Sequence, residues 1–385
     1  MYPKLSDLIN DWFGTNIVLP IQSYGFFLAL AFIFGAYFLY QELKRKEEEG
    51  LIKPQIKKVQ KGKPVTAIEL VSIFIFSLLI GFKLIGALLD YSNFALDPQD
   101  FVMSLEGSWW GGLIVAIIYT GWFYSTKKKN ELHPPVWEEI TTHAQDQTWP
   151  IVFVAIVFGI LGAKIFHWFE NWGEFTRDPL DALLSFSGMS FYGGLLLAAA
   201  AVGYYANKQG IKWWAMADSI APSLILSYGI GRIGCHVAGD GDWGIVNTLD
   251  KPGWLSFLPD WLWSYTYPHN IINEGIPIPA CSGAHCFQLA EGVFPTSVYE
   301  TTMAILIFLL LWNLRKRIKT GGILTSIYLM LNGMERFFIE KIRVNNLFNF
   351  LGMKVTQAEV IAVILFLTGL VLFIVLWQKQ KKLSR

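Results

Sequence analysis

Apolar residues gather in long runs separated by short polar or basic stretches. The runs lie near 21–40, 66–89, 109–125, 148–169, 191–206, 213–235, 296–314, 322–342 and 357–377. Each approaches the ~20 residues that an α-helix needs to cross a hydrocarbon core about 30 Å thick. The pattern predicts an all-α membrane protein with about nine transmembrane helices. The fifth run is short, and the sixth and eighth carry charges. The first run is long and lacks a small-residue cleavage pattern, so it reads as a retained helix. Residues 42–64 read as a solvated, mixed-charge linker. Residues 236–295 form one large excursion rich in Trp, Pro and Gly.

The basic residues orient the spans. Clusters follow the first (Lys44, Arg45, Lys46), third (Lys127, Lys128, Lys129), fifth (Lys208, Lys212), seventh (Arg315, Lys316, Arg317) and ninth (Lys379, Lys381, Lys382) runs. With nine spans every cluster falls on one side, which the positive-inside rule makes cytoplasmic. The N-terminus is then outside and the C-terminus cytoplasmic, and 236–295 becomes an extracytoplasmic head. Cys281 and Cys286 lie in that head, where an oxidising compartment permits a disulfide; two free thiols fit the spacing equally well.

Composition agrees. The hydrophobic fraction is 53% and the charged fraction 16%, against about a quarter charged in soluble chains. A net charge of +1 gives no basic field for nucleic acid. Three cysteines are too few for a disulfide scaffold or a Cys-rich metal site. No metal and no cofactor are expected.

Two blocks repeat. Gly81 to Gly112 and Gly162 to Gly194 align Lys83 with Lys164, Asp97-Pro98 with Asp178-Pro179, and Ser108-Trp-Trp-Gly-Gly with Ser190-Phe-Tyr-Gly-Gly. We expect residues 66–125 to be a duplicated helix pair within a single transmembrane domain spanning 1–385. The two lysines are expected to snorkel to the outer interface; contact with lipid phosphate is the alternative, with Lys164 the better candidate for it.

An ionisable side chain in a span costs roughly 2.5–3.5 kcal/mol, so each is a functional candidate. Arg232 and His236 are four apart on one helix face, with Asp240 and Asp242 just beyond. Arg336, Glu340 and Arg343 form an i, i+4, i+7 stripe, and Glu300 opens the seventh span. Arginines compensated by carboxylates at one depth point to a site for an anionic head group. The plainer reading of Arg336–Glu340 is a buried pair joining helices. Cys235 reads as a small packing residue rather than a nucleophile.

Five ordered motifs resemble the prolipoprotein diacylglyceryl transferase family. GRIGCHVAGDGDWG (231–244) is similar to G-R-x-G-N-F-x-N-x-E, with Gly231, Arg232, Gly234 and Gly239 matching and Asp240 standing for Glu. GMSFYGG (188–194) is similar to G-M-S-F-H-G-G, and FPTSVYE (294–300) to H-P-[ST]-Q-x-Y-E. The Arg336, Glu340, Arg343 stripe matches R-x3-E-x2-R, and Tyr24-Gly25 matches an early Tyr-Gly. Tyr192, Cys235, Phe294 and Ser297 depart from the pattern.

The resemblance implies transfer of the diacylglyceryl group of phosphatidylglycerol to the lipobox cysteine of prolipoprotein signal peptides. This would occur in a bacterial cytoplasmic (inner) membrane, with the site facing the outer leaflet. Arg232, Arg336, Glu340, Tyr24, Glu300, Gly234 and Gly239 would bind substrate, and His236, Tyr192 and Asp240 would serve catalysis. A phenol is a poor base, which makes His236 the chemically better proton acceptor. A carrier or binder of anionic lipids, or a family member with altered substrate or lost activity, would use the same arginines.

Overall fold

The computed structural model describes residues 1–385 except 97, 178, 180–189, 346–347, 351 and 384–385. Asp97 and Asp178 of the repeat, and Gly188 and Met189 of the 188–194 motif, therefore lie outside the described residues. The helices are α1 (Leu5–Phe13), α2 (Ser23–Glu48), α3 (Ala67–Leu89), α4 (Tyr91–Leu96), α5 (Pro98–Met103), α6 (Trp109–Lys129) and α7 (Thr148–Glu170). They continue as α8 (Trp172–Arg177), α9 (Phe191–Lys208), α10 (Trp213–Ala238), α11 (Thr296–Leu314), α12 (Ile323–Glu340) and α13 (Gln357–Leu383). Among the described residues, five stretches are long and apolar enough to cross a membrane by length and composition: Ser23–Glu48, Ala67–Leu89, Ala144–Glu170, Thr296–Leu314 and Gln357–Lys381. The protein is an all-α membrane protein. Its apolar side chains face outward along these helices, with Ile68 80% and Leu306 60% exposed, as lipid rather than water requires.

The chain forms two compact units. One comprises Met1, Tyr24–Gln55 and Thr142–Arg385; the other comprises Tyr2–Ser23 and Ile56–Thr141. Within the larger unit α7 packs on α9, α10 on α11, and α12 on α13. One core joins Leu39, Leu43, Ile151, Val202 and Met216; a second joins Ile225, Ala304, Phe308, Leu311 and Leu324.

At the basic end of this unit, α2 continues past its apolar run, which corrects the expected solvated linker. Glu42 is fully buried and pairs with Arg45 and, at 2.9 Å, with Arg315. Asp218 of α10 accepts from the backbone N–H groups of Gly322 (2.7 Å) and Thr325 (2.8 Å), satisfying donors at the start of α12 that no intrahelical partner reaches. The rest of the linker contributes a strand, β1 (Gln55–Lys61), which pairs with β2 (Val136–Thr142).

In the smaller unit α3 packs on α6 much as α7 packs on α9 in the larger. The Phe82 carbonyl accepts from Ser108 N–H at 2.9 Å; that of Ala163 accepts from Ser190 N–H at 3.0 Å. A Cβ on Gly111 would strike Ile85, and one on Gly193 would strike Phe166. The short helices α4 and α8 follow at the same offset. Lys83 departs from the expected snorkelling: its ammonium donates to the carbonyls of Phe101 (2.6 Å), Ser104 (2.6 Å) and Glu106 (2.8 Å). Those carbonyls end a short helix and its loop, so a cation is better held there than at the surface.

The head between α10 and α11 has its own small core of Trp243, Tyr267, Leu289 and Val293. It contains one strand pair, β3 (Ile276–Pro277) with β4 (Phe287–Gln288), and Cys281 is bridged to Cys286. Near the C-terminus β5 (Phe348–Phe350) pairs with β6 (Met353–Val355).

Candidate active site

The site forms where α10 ends. Gly239 stops that helix in the left-handed region (φ 65°), and its N–H returns to the Cys235 carbonyl at 3.0 Å; glycine adopts this conformation without a Cβ penalty. The chain then crosses two other helix ends. Gly244 N–H donates to Phe294 O just before α11, and Ile245 N–H to Ile342 O just after α12, both at 2.9 Å. A Cβ at Gly244 would collide with Ile342 O and with Phe294, so this crossing requires glycine. It brings Asp242, Glu300 and Arg343 together from distant parts of the sequence.

Glu300 is the hub. Its side chain is wholly buried, and its Oε2 pairs with Arg232 Nε at 2.9 Å. Its Oε1 lies 3.2 Å from both Arg336 Nη1 and Arg343 Nη1. Asp242 closes the ring by pairing with Arg232 through one oxygen and Arg343 through the other. Thr296 and Ser297 hydroxyls hold the Asp242 carbonyl at 3.0 and 2.7 Å. Glu340, buried, pairs with Arg336 at 3.2 Å and accepts from Asn345. The three arginine side chains remain 11–22% exposed, so the guanidinium groups keep open edges. Such forks match a phosphate and fix its orientation.

Tyr192, in the first turn of α9, lies within electrostatic reach of Arg336, Glu340 and Arg343. Tyr24 packs on Gly234, where a Cβ would sit 3.3 Å from the Tyr24 Cα and 2.9 Å from the Phe27 Cβ; Tyr24 also senses Arg232. Gly234 and Gly239 thus shape the backbone around the site.

His236 sits apart from the charge ring. Its imidazole stacks on Trp261 (centroids 5.7 Å apart) and packs beside Tyr265 and Tyr267, with Nδ1 3.3 Å from the Tyr267 hydroxyl.

Asp240, which stands where the motif has Glu, does not make the arginine contacts; Asp242 does. Asp240 instead accepts from Asp242 N–H at 3.2 Å. Burial pushes its pKa up, and the neighbouring Asp242 charge adds to this. Burial opposes ionisation of Asp242 too, but Arg232 and Arg343 outweigh it and hold that carboxyl below the usual range. Cys235 is buried, with its sulfur 3.8 Å from Arg232 Nη1. Ligand atoms of Cys235, Asp240 and Asp242 lie within 4.8 Å of one another. Both Asp242 oxygens are committed to guanidinium groups, so this trio offers a cation poor ligands.

The sequence reading undervalued Asp242 and Arg343, because only the backbone crossing gives them shared partners. It also missed Glu335, which is 4% exposed with neither oxygen hydrogen-bonded among the described residues. Glu335 lies off the Arg336–Glu340–Arg343 stripe, and periodicity alone did not mark it.

The profile of the prolipoprotein diacylglyceryl transferase family matches residues 135–375, which contain the arginines, Glu300, Asp242, Tyr192 and His236. The chain is also similar to proteins named phosphatidylglycerol–prolipoprotein diacylglyceryl transferase. That of Staphylococcus haemolyticus is 27% identical over 285 residues, covering 72% of this chain and 88% of the relative. Those of Staphylococcus saprophyticus and Staphylococcus aureus are 27% and 25% identical, covering 73% and 72% of this chain and 89% of each relative.

Proposed function

Because the chain belongs to the prolipoprotein diacylglyceryl transferase family, we propose that it moves the diacylglyceryl group of phosphatidylglycerol onto the lipobox cysteine of a prolipoprotein. The observation that carries this reading is Glu300 holding Arg232, Arg336 and Arg343 around one carboxylate. In the reaction the cysteine sulfur attacks the glycerol carbon that bears the phosphate ester. A C–S bond forms, the C–O bond breaks, and its electron pair leaves with the oxygen of glycerol 1-phosphate. Arg232 and Arg336 stabilise that developing charge. The thiol must lose its proton to become a nucleophile. His236, on the head side of the site, accepts it, and the proton is finally carried by the departing phosphate or by solvent. Tyr192, beside Arg336, donates a hydrogen bond to the phosphate. Asp242 and Glu340 keep the guanidinium groups oriented when no lipid is bound, and Asp240 supports the turn through Asp242.

The proposed topology has nine spans, formed by α2, α3, α6, α7 and α9–α13. The N-terminus is outside and the C-terminus cytoplasmic, in a bacterial inner membrane. All basic clusters then lie on one side, and the bridged Cys281–Cys286 pair lies on the oxidising side. The charge ring opens to the outer leaflet. The α3–α6 pair is read as an added copy of the α7–α9 pair, since the family match begins at residue 135, beyond α6.

Complementation tests the reading. The gene should rescue a bacterium depleted of its own transferase, and Arg232→Ala should abolish rescue. Rescue by Arg232→Ala would remove the phosphate site; failure of the unaltered gene alongside lipid binding would favour a carrier.

A further inference from the structure

Residues Leu249–Trp263 leave the head and return almost to their starting point. The Trp263 indole donates to the Leu249 carbonyl at 2.9 Å, and Asn247 Nδ2 to the Trp263 carbonyl at 2.7 Å. A second clasp lies further out, where the Lys251 ammonium bonds the Leu258 carbonyl and pairs with Asp260 at 2.9 Å. Tyr299 of α11 anchors the base by donating to the Leu262 carbonyl at 2.7 Å. The segment is therefore a closed loop of the Ω type, held by its own hydrogen bonds.

What this loop presents is unusual for a surface loop. From Pro252 to Pro259 it carries no charge, and Trp254 and Phe257 are 76% and 77% exposed. The tip is open: nothing lies within 4 Å of where a Cβ would stand on Gly253. Two outward, exposed rings are not the pockets or edge that an extended or helical peptide needs. They suit a fluid surface that closes around them. Trp and Phe are the side chains that settle at the bilayer interface, and both ends of the head continue into apolar helices. The Asp260 side chain, 97% exposed, sets a limit to burial and would stay at head-group level.

We propose that the Leu249–Trp263 loop is a membrane-seating element that inserts Trp254 and Phe257 into the lipid surface beside the active site. Insertion itself does not depend on the proposed reaction; that the leaflet is the outer one, from which the lipid substrate is drawn, rests on that reading. The loop also reaches the site. Trp261 near its base stacks on His236.

The test uses the full chain with a single new thiol, Phe257→Cys, carrying an environment-sensitive fluorophore. It is reconstituted in phosphatidylcholine–phosphatidylglycerol vesicles containing lipids with a nitroxide on a shallow acyl carbon. Thr248→Cys, outside the clasp, is the reference. The label at 257 is expected to be quenched by the nitroxide lipid and sheltered from aqueous iodide, with the reverse at 248. In vesicles, Trp254→Ser with Phe257→Ser is expected to raise the KM for lipid severalfold while kcat holds. Loss of transfer by the unaltered protein with the quenching pattern intact would fault the proposed reaction and leave the loop's role standing. Iodide access at 257 equal to that at 248 would overturn the proposal. So would shielding that appears only when a prolipoprotein signal peptide is added, since the loop would then dock peptide.

Discussion

Arg232 and Arg336, on different helices, are held by the two oxygens of one carboxylate: Glu300 pairs with the first at 2.9 Å and with the second at 3.2 Å. A fully buried acid between cations is costly to desolvate, and the spacing it imposes on the two guanidinium groups is what that cost secures. Glu300→Ala should leave three arginines without their shared partner. A loss of about 3–5 kcal/mol is expected, read as a lowered melting temperature in detergent, together with loss of transfer. Unchanged melting would show that the ring does not hold these helices together.

Arg232→Lys and Arg336→Lys keep the charge but lose the planar fork. Each should lower kcat by about 10²–10³, the range found for removing one preorganised donor. The check is an in vitro transfer assay with a lipobox peptide. Near-normal rates would mean that charge alone suffices.

Asp242→Asn should be more damaging than Asp240→Asn, because Asp242 joins Arg232 and Arg343. The pH dependence follows from its depressed pKa. The stabilisation from its ionised form is complete above the ordinary carboxylate value of about 3.9. It is lost as pH falls through the lower folded-state value. Melting against pH should show an acid limb in the unaltered protein that Asp242→Asn flattens.

If His236 accepts the thiol proton, His236→Ala should cut kcat more than Tyr192→Phe does. The reverse order would give the role to Tyr192, which stands beside Arg336.

Glu335→Gln should preserve both melting and transfer. The three arginines are already matched by Asp242, Glu300 and Glu340, and Glu335 bonds none of them. A marked fall in kcat would reveal a part in catalysis that the geometry does not require.

The sequence by itself determined where the long apolar helices run, because hydropathy and length are local properties. It also determined that Arg336 and Glu340 pair, since they lie four apart on one helix. The same spacing misled at Arg232 and His236. One turn apart, they meet different neighbours, a charge ring and an aromatic cage, because their neighbours come from other segments. The continuation of α2 was hidden as well: Glu42, Arg45 and Lys46 read as solvated until Arg315, far along the chain, supplied a buried partner. Only the tertiary structure chose Asp242 over Asp240. The choice follows from a backbone crossing at Gly244, where the hydrogen bonds to Phe294 and Ile342 fix which carboxylate faces the arginines. Such long-range contacts have no periodicity to betray them.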